Sequence, residues 1–274
     1  MEGQSLLLNT LTRDDLTRIA GDAVVVLPTG ATEQHGPHLP VGTDSFVVEH
    51  VAREAAAAVA DRVPLVVAPT LPYGSSHHHL PFGGTMSLTT ETYYAVMRDL
   101  VASLIESGFR RVVIVNGHGG NHELMQLVVR DLALKHPADL AALSYWLPAA
   151  ADLAALHEGA PSRLPGHAGA FETSLIMALR PDLVRQPLPH RDSAQIAALT
   201  AQPPGWRLER HGAWQAMDGF SDSPNLGAAE RGRAYLDAVV RALAQAIRDF
   251  HAATLRPMRE TIAATEKASA SADA

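Results

Sequence analysis

Cysteine is absent from the 274 residues, so neither a disulfide framework nor thiolate ligation or thiol catalysis is open to the chain. No basic run stands out. Lys and Arg number 22 against 29 Asp and Glu, a net charge of -7, which argues against a nucleic-acid backbone as partner. Long apolar runs are also missing, since stretches such as Ala55 to Ala60 are too short and too small to span a bilayer. Met1-Glu2-Gly3-Gln4 has neither the basic nor the apolar stretch of a secretory leader, so the expectation is a soluble cytoplasmic protein with no membrane partner. No internal repeat is found. Hydrophobic residues make up 47%, enough for one large core, and a single domain is expected over residues 1–252. Residues 253–274 are polar and alanine-rich, and they are expected to be disordered.

What is present is a set of acidic and imidazole side chains in three glycine-flanked packets, each just after a hydrophobic run. The first holds Glu33, His35 and Asp44; the second is Asn116-Gly117-His118-Gly119-Gly120-Asn121; the third runs from Gly166-His167 to Glu172. Imidazole nitrogens and carboxylate oxygens suit borderline divalent metals, and an aspartate can bridge two of them. A hydrolase with a metal centre is the leading reading.

The pattern around the packets is that of alternating strands and helices. Val24 to Leu27 is a β-branched run ending at Pro28, followed by a helix over roughly Phe46 to Ala60 that Thr43 or Asp44 can cap. Val63 to Ala68 reads as the next strand. Ser87 to Ser107 reads as a helix capped by Thr89 or Thr90, with Tyr93, Val96, Leu100 and Leu104 at helical spacing and Gly108 as its stop. Arg111 to Val115 is a clean central strand, then come a helix from about Glu123 to Lys135 and a strand from Leu140 to Trp146. The chain then looks irregular up to His167, and the segment Arg185 to Gln202 reads as an excursion or mobile loop. A last helix is expected over Ala229 to Ala252. This alternation predicts an α/β fold with a mostly parallel sheet covered on both faces, whose strand carboxyl ends gather the ligands.

Each packet also admits a plainer reading. Asp44 can serve only as a helix cap, and Glu33 and His35 as polar turn residues. The glycines of the second packet suggest a phosphate cradle, but the lysine of a P-loop and the GxGxxG pattern are both missing. His118 can ligate, with Asn116 or Asn121 ordering the turn. His167 and Glu172 are five apart, so they fall on a loop and its following helix, where one can ligate while the other handles protons. Of His77, His78 and His79, at most two can line a pocket. Gly84 and Thr85 offer a place where substrate can approach the backbone, and Trp146 is the best candidate for a pocket wall among Trp146, Trp206 and Trp214.

The segments Glu33-Gln34-His35-Gly36-Pro37-His38-Leu39-Pro40 with Thr43-Asp44, Asn116-Gly117-His118-Gly119-Gly120-Asn121, and His167-Ala168-Gly169 with Glu172-Thr173-Ser174 together resemble the creatininase family, the creatinine amidohydrolases and their relatives. Further likeness at Tyr73-Gly74, Gly84-Thr85, Ser144-Tyr145-Trp146 and Gly227-Ala228-Ala229 carries it from about residue 5 to about residue 250. The resemblance implies a three-layer α/β/α sandwich, a homohexamer, and two divalent ions of zinc, manganese or iron. It places Asp44 between the ions, Glu33 and His118 on one, and His35 with a further carboxylate on the other. Creatininase carries that carboxylate two positions beyond the motif histidine, where this chain has Gly120; relatives with the same glycine-rich turn use the later glutamate, which points to Glu172. His167 is the implied acid/base, with Glu172 beside it; the residues themselves offer His78, His79, Gly84, Thr85 and Trp146 as candidate substrate contacts. The implied reaction is hydrolysis of a C–N bond in a small cyclic or linear amide or lactam by water activated between the ions, His167 protonating the departing nitrogen. Family relatives also act on other ring amides, formamides, a peptide bond in a redox-cofactor precursor and a C–C bond of a cyclic sugar derivative. The competing readings are a non-catalytic metal or sugar-phosphate binding module, and a metal-dependent sugar-derivative isomerase or C–C hydrolase.

Overall fold

The computed structural model describes residues 6–157, 164–201, 205 and 208–255, so the expectations for the far tail and for Trp206 lie outside the described residues. Four parallel strands form the central sheet: β1 (Val24–Thr29), β2 (Leu65–Val67), β3 (Arg111–Asn116) and β4 (Asp139–Ser144), in the order β2-β1-β3-β4. The register runs from Val24 opposite Arg111 to Thr29 opposite Asn116, and from Arg111 opposite Asp139 to Asn116 opposite Ser144. All six residues of β1 are buried, and alternate side chains enter different cores. Val24 and Val26 face one, Val25 and Leu27 the other.

The helices are α1 (Arg13–Ile19), α2 (Thr43–Ala57), α3 (Thr90–Glu106), α4 (His122–Ala133), α5 (Ala150–Leu156), α6 (Ala170–Leu179), α7 (Ser193–Thr200), α8 (Ala213–Ala216) and α9 (Ala229–Ala253). One face of the sheet is covered by α2, α5, α6 and α9, the other by α1, α3 and α4, which makes a three-layer α/β/α sandwich. Helix α9 buries Tyr235, Val239, Leu243 and Ile247 at four-residue spacing and packs on α6 and α2. Among the described residues no helix is long and apolar enough to cross a membrane.

Several local expectations need correction. Strand β1 continues through Pro28 to Thr29, because β2 has ended at Val67, opposite Val26, so the side on which Pro28 lacks an N–H carries no ladder bond to lose. Helix α2 begins at Thr43, three residues earlier than its apolar pattern suggests, with Gly42 as an N-cap that makes no side-chain bond. Asp44 therefore lies inside the first turn and its carboxylate is released from capping. Thr89 caps α3 by accepting from the Thr92 N–H, but the buried stripe is Tyr93, Met97, Val101 and Ile105; Leu100 is exposed. The region expected to be irregular contains α5. The segment expected as a loose excursion contains α7, nucleated by a capping box in which Asp192 accepts from the Gln195 N–H and Gln195 returns the bond.

Candidate metal centre

The first two packets leave the carboxyl ends of β1 and β3, the adjacent strands from which the chain crosses in opposite directions, to β2 on one side and β4 on the other. That is the crevice where ligands collect in open parallel sheets. The start of α2 is drawn against this crevice. A Cβ at Gly117 would lie 2.8 Å from Val48 Cβ and 2.9 Å from the Asp44 carbonyl oxygen, so the bare backbone of the second packet is what lets Asp44 reach the strand ends. Asn116 and Asn121 order the turn: the Asn116 side chain accepts from the His118 N–H at 3.0 Å, and Asn121 donates to the Gly30 carbonyl at 3.0 Å.

Glu33, His35, Asp44, His79, His118, His167 and Glu172 are all buried and converge on one point. The two oxygens of Asp44 face different histidines: Oδ1 lies 3.1 Å from His35 Nε2, and Oδ2 lies 3.1 Å from His118 Nδ1. His35 Nδ1 is occupied by the Glu33 carbonyl at 3.1 Å, and His118 Nε2 by the Ser75 carbonyl at 3.2 Å. Carbonyls accept only, so in each neutral ring the nitrogen turned toward Asp44 carries a lone pair. Glu172 Oε2 is 3.7 Å from His35 Nε2 and is held by the Ala168 N–H at 2.5 Å. Glu33 Oε1 is 3.3 Å from His118 Nδ1.

Lone pairs thus face lone pairs. Both oxygens of Glu33 and Oδ2 of Asp44 are buried without a hydrogen-bond partner. Such atoms are costly unless a cation lies between them. The oxygen and nitrogen donors, with no sulfur, fit a borderline or hard divalent ion. Overlapping ligand groups within reach of one ion are Glu33 with His35 and Asp44; His35 with His167 and Glu172; Glu33 with His78 and His118; and Glu33 with His79 and His167.

Protons stand in for the positive charge when no ion is bound. Burial opposes charge on His35, but Asp44 and Glu172 outweigh it and raise its pKa to about 10. His118 is buried too, and Glu33 and Asp44 carry it well above its usual range. Burial also works against ionisation of Asp44, yet His35 and His118 hold it well below the usual carboxylate range. Glu172 goes the other way: burial, only partly offset by His35, and repulsion from Asp44 push it up to about 8. His79 and His167 are driven below the usual imidazole range by burial and by the neighbouring histidines.

A cavity of about 810 Å³ opens over these groups, lined by His78, His79, Trp146 and His167 among others. Gly84 and Thr85 are not part of its wall. Gly84 is exposed against Val41, and the Thr85 hydroxyl is turned inward to accept from the Gln34 N–H at 3.1 Å. His77 is exposed and bonded to Ser87, so two of the three consecutive imidazoles reach the cavity. Trp146 lies just past the end of β4 rather than within it.

Gly120 cannot carry a ligand in this backbone. A Cβ there would fall on the Ser75 carbonyl oxygen and 2.6 Å from His118 Nε2, whereas Glu172 reaches the His35 side of the centre from α6. Sequence reasoning gave no role to Gln34 or Asp222 and ranked Trp214 behind Trp146. Gln34 was visible between two candidate ligands. Trp214 packs edge-on to His79 and His167 with ring centroids at 4.6 and 5.3 Å, and Asp222 accepts the Ala170 N–H at 2.8 Å to anchor α6; both come from far along the chain with no local signal.

A family model described as creatininase, creatinine amidohydrolase, matches residues 9–247. The creatinine amidohydrolase of Pseudomonas putida is 32% identical over 247 residues, covering 84% of this chain and 90% of that protein. The mycofactocin precursor peptide peptidase of Mycobacterium tuberculosis is 36% identical over 173 residues, covering 59% of this chain and 60% of that protein. A solved structure of a creatininase variant complexed with creatine superposes with a TM-score of 0.75 at 29% identity, covering 90% of this chain and 98% of that one.

Proposed function

Because the chain belongs to the creatininase family, we propose that it is a metal-dependent amidohydrolase cleaving a C–N bond in a small cyclic or short-chain amide. The observation that carries this reading is the division of Asp44 between His35 and His118 at 3.1 Å each, beside carboxylate oxygens that no hydrogen bond satisfies. Glu33, Asp44 and His118 would hold one ion, and His35, Asp44 and Glu172 the other. Bound there, divalent ions supply a lowered water pKa and polarisation of the scissile carbonyl.

The protein's own groups do the rest. Burial, the largest influence on it, holds the His167 pKa well below the usual imidazole range, so the ring is neutral and can accept a proton and return it to the leaving nitrogen. Ala168 N–H fixes the Glu172 carboxylate, which keeps it aimed at His35. Trp146, Leu164, Leu199, Trp214 and Met217 give the cavity an apolar wall that supports an amide with a nonpolar portion and limits water around the reacting bond. The spare proton-handling imidazole favours catalysis over simple metal storage. The proposal extends to zinc, manganese or iron as the ions and to a hexamer, as the family resemblance implies, and to a cytoplasmic location.

The test is metal content per subunit in untagged protein, followed by a panel of lactams and linear amides. About two divalent ions are expected, lost in Asp44→Ala, with hydrolysis of at least one amide class. His167→Ala is expected to keep its metal while turnover falls by roughly 10²- to 10⁴-fold. Wild-type protein that takes up no metal after supplementation would sink the reading.

A further inference from the structure

Three imidazoles turn a ring nitrogen toward the same oxygen, Glu33 Oε1: His118 Nδ1 at 3.3 Å, His79 Nε2 at 3.4 Å and His167 Nδ1 at 3.5 Å. Distance alone does not distinguish them. The buried side chain of Gln34 does. Its orientation is imposed by two backbone groups with no choice of role: the Gly36 N–H donates to Oε1 at 2.9 Å, and the Gly219 carbonyl accepts from Nε2 at 2.9 Å. The amino end of the amide therefore faces His79 Nδ1, at 2.8 Å.

An N–H donor opposite a ring nitrogen requires a lone pair on that nitrogen. A doubly protonated His79 would set donor against donor, so the ring is neutral and its proton is on Nε2. His167 is resolved the same way. Its Nε2 lies 3.1 Å from the Gln34 amino group and 3.1 Å from the Gln34 backbone carbonyl. Both amide protons of Gln34 are already committed to His79 and Gly219. His167 Nε2–H therefore donates to the carbonyl, and its Nδ1 is bare.

We propose that Gln34 is a positioning residue that divides this histidine pair, holding His79 as an N–H donor to Glu33 and leaving His167 with the bare nitrogen at the centre. His79 thereby orients Glu33 for a cation without ligating it, although distance alone groups it with Glu33 and His167 as a possible ligand. His79 Nε2 makes no hydrogen bond in the metal-free protein and lies buried 3.4 Å from Glu33 Oε1, as expected of a donor that engages only when Glu33 is drawn into place. The inference rests on the metal-centre reading for its purpose, but the tautomers are set by the protein alone.

The experiment is ¹⁵N magic-angle-spinning NMR of histidine-labelled full-length protein, with and without Zn²⁺, the His79 signals being identified by their loss in His79→Gln. A protonated Nε2 and a bare Nδ1 are expected for His79 in both states, while His35 and His118 nitrogens shift on zinc binding. Gln34→Glu replaces the donor by an acceptor and is expected to turn His79 over to the Nδ1–H form. In chelator competition, His79→Phe should weaken zinc binding on the order of 10- to 100-fold. His79→Gln, which keeps an N–H donor, should recover most of that loss. A His79 protonated on Nδ1 in the metal-free wild type, a zinc-shifted His79 Nε2, or full zinc affinity in His79→Phe would each overturn the proposal. None of these readouts needs a substrate, so an inert amide panel counts against the proposed activity and not against this assignment.

Discussion

Gly120→Glu places a carboxylate two positions beyond His118, where creatininase carries one, and the structure opposes it at the first carbon. A Cβ at 120 falls on the Ser75 carbonyl oxygen, 2.6 Å from His118 Nε2 and 3.2 Å from His78 Cε1. Ser75 cannot simply step aside, because its N–H is held by Asn121 Oδ1 at 2.9 Å, and that asparagine also donates to the Gly30 carbonyl. The remaining way to make room is to displace His118, whose Nδ1 must stay near Asp44 Oδ2 and Glu33 Oε1 to be useful. Overpacking of this kind costs about 1–3 kcal/mol. For a chain of this size that corresponds to a fall in Tm of roughly 2–12 °C. Displacement of a ligand's support should also weaken metal binding on the order of 10- to 100-fold. Thermal denaturation and metal analysis of Gly120→Glu, alone and combined with Glu172→Ala, read both effects. A Gly120→Glu protein with unchanged Tm and two ions, still holding two when Glu172 is removed, would refute the argument that Glu172 has taken over this role.

Metal uptake should release protons. His35, raised to about 10, and His118, also raised, are protonated in the metal-free protein at neutral pH and must be neutral to ligate, so metal affinity should climb as pH rises from 6 to 8, by about tenfold per unit for each proton displaced. Calorimetry in two buffers of different ionisation enthalpy measures that release, and equal heats in both would refute it. Glu172→Gln removes a group that can become a carboxylate ligand from the His35 side alone, so one ion should remain tight while the other is lost; metal titration showing two unaltered sites would contradict the ligand division. His38 supplies an acid sensitivity. Burial, with repulsion from His35, lowers its pKa to about 4, whereas the unfolded chain takes up this proton near 6.5. The unfolded state therefore binds more protons between these values, and stability falls as pH drops through that window, by about 2 kcal/mol between pH 7 and pH 5. Denaturant unfolding at the two pH values should show this slope reduced in His38→Phe.

Periodicity and composition were enough for the layered α/β fold, because β-branched runs such as Val24 to Val26 and Val112 to Val115 are buried on both faces only in a covered parallel sheet. Helix faces were less legible. In α3 the Val96, Leu100 and Leu104 series looked as apolar as Met97, Val101 and Ile105, and only packing against the sheet chose the latter. Helices α5 and α7 were missed because they are short and their stability comes from an aspartate cap or from neighbours rather than from a long amphipathic stripe.

By itself the sequence determined which atoms are available to the centre: carboxylates and imidazoles placed after strands, no thiolate, and a glycine at position 120 that cannot ligate. Those properties are local, since they depend on residue type and on the strand or turn that delivers it. Tertiary structure alone decided that Asp44 abandons the cap to stand between His35 and His118, that Glu172 arrives from α6 beside His35, and that Gln34 gives His79 and His167 different tautomers. Each of these outcomes depends on lone pairs and N–H groups meeting at about 3 Å from residues as far apart as Gln34, His167 and Gly219, a condition that spacing along the chain does not encode.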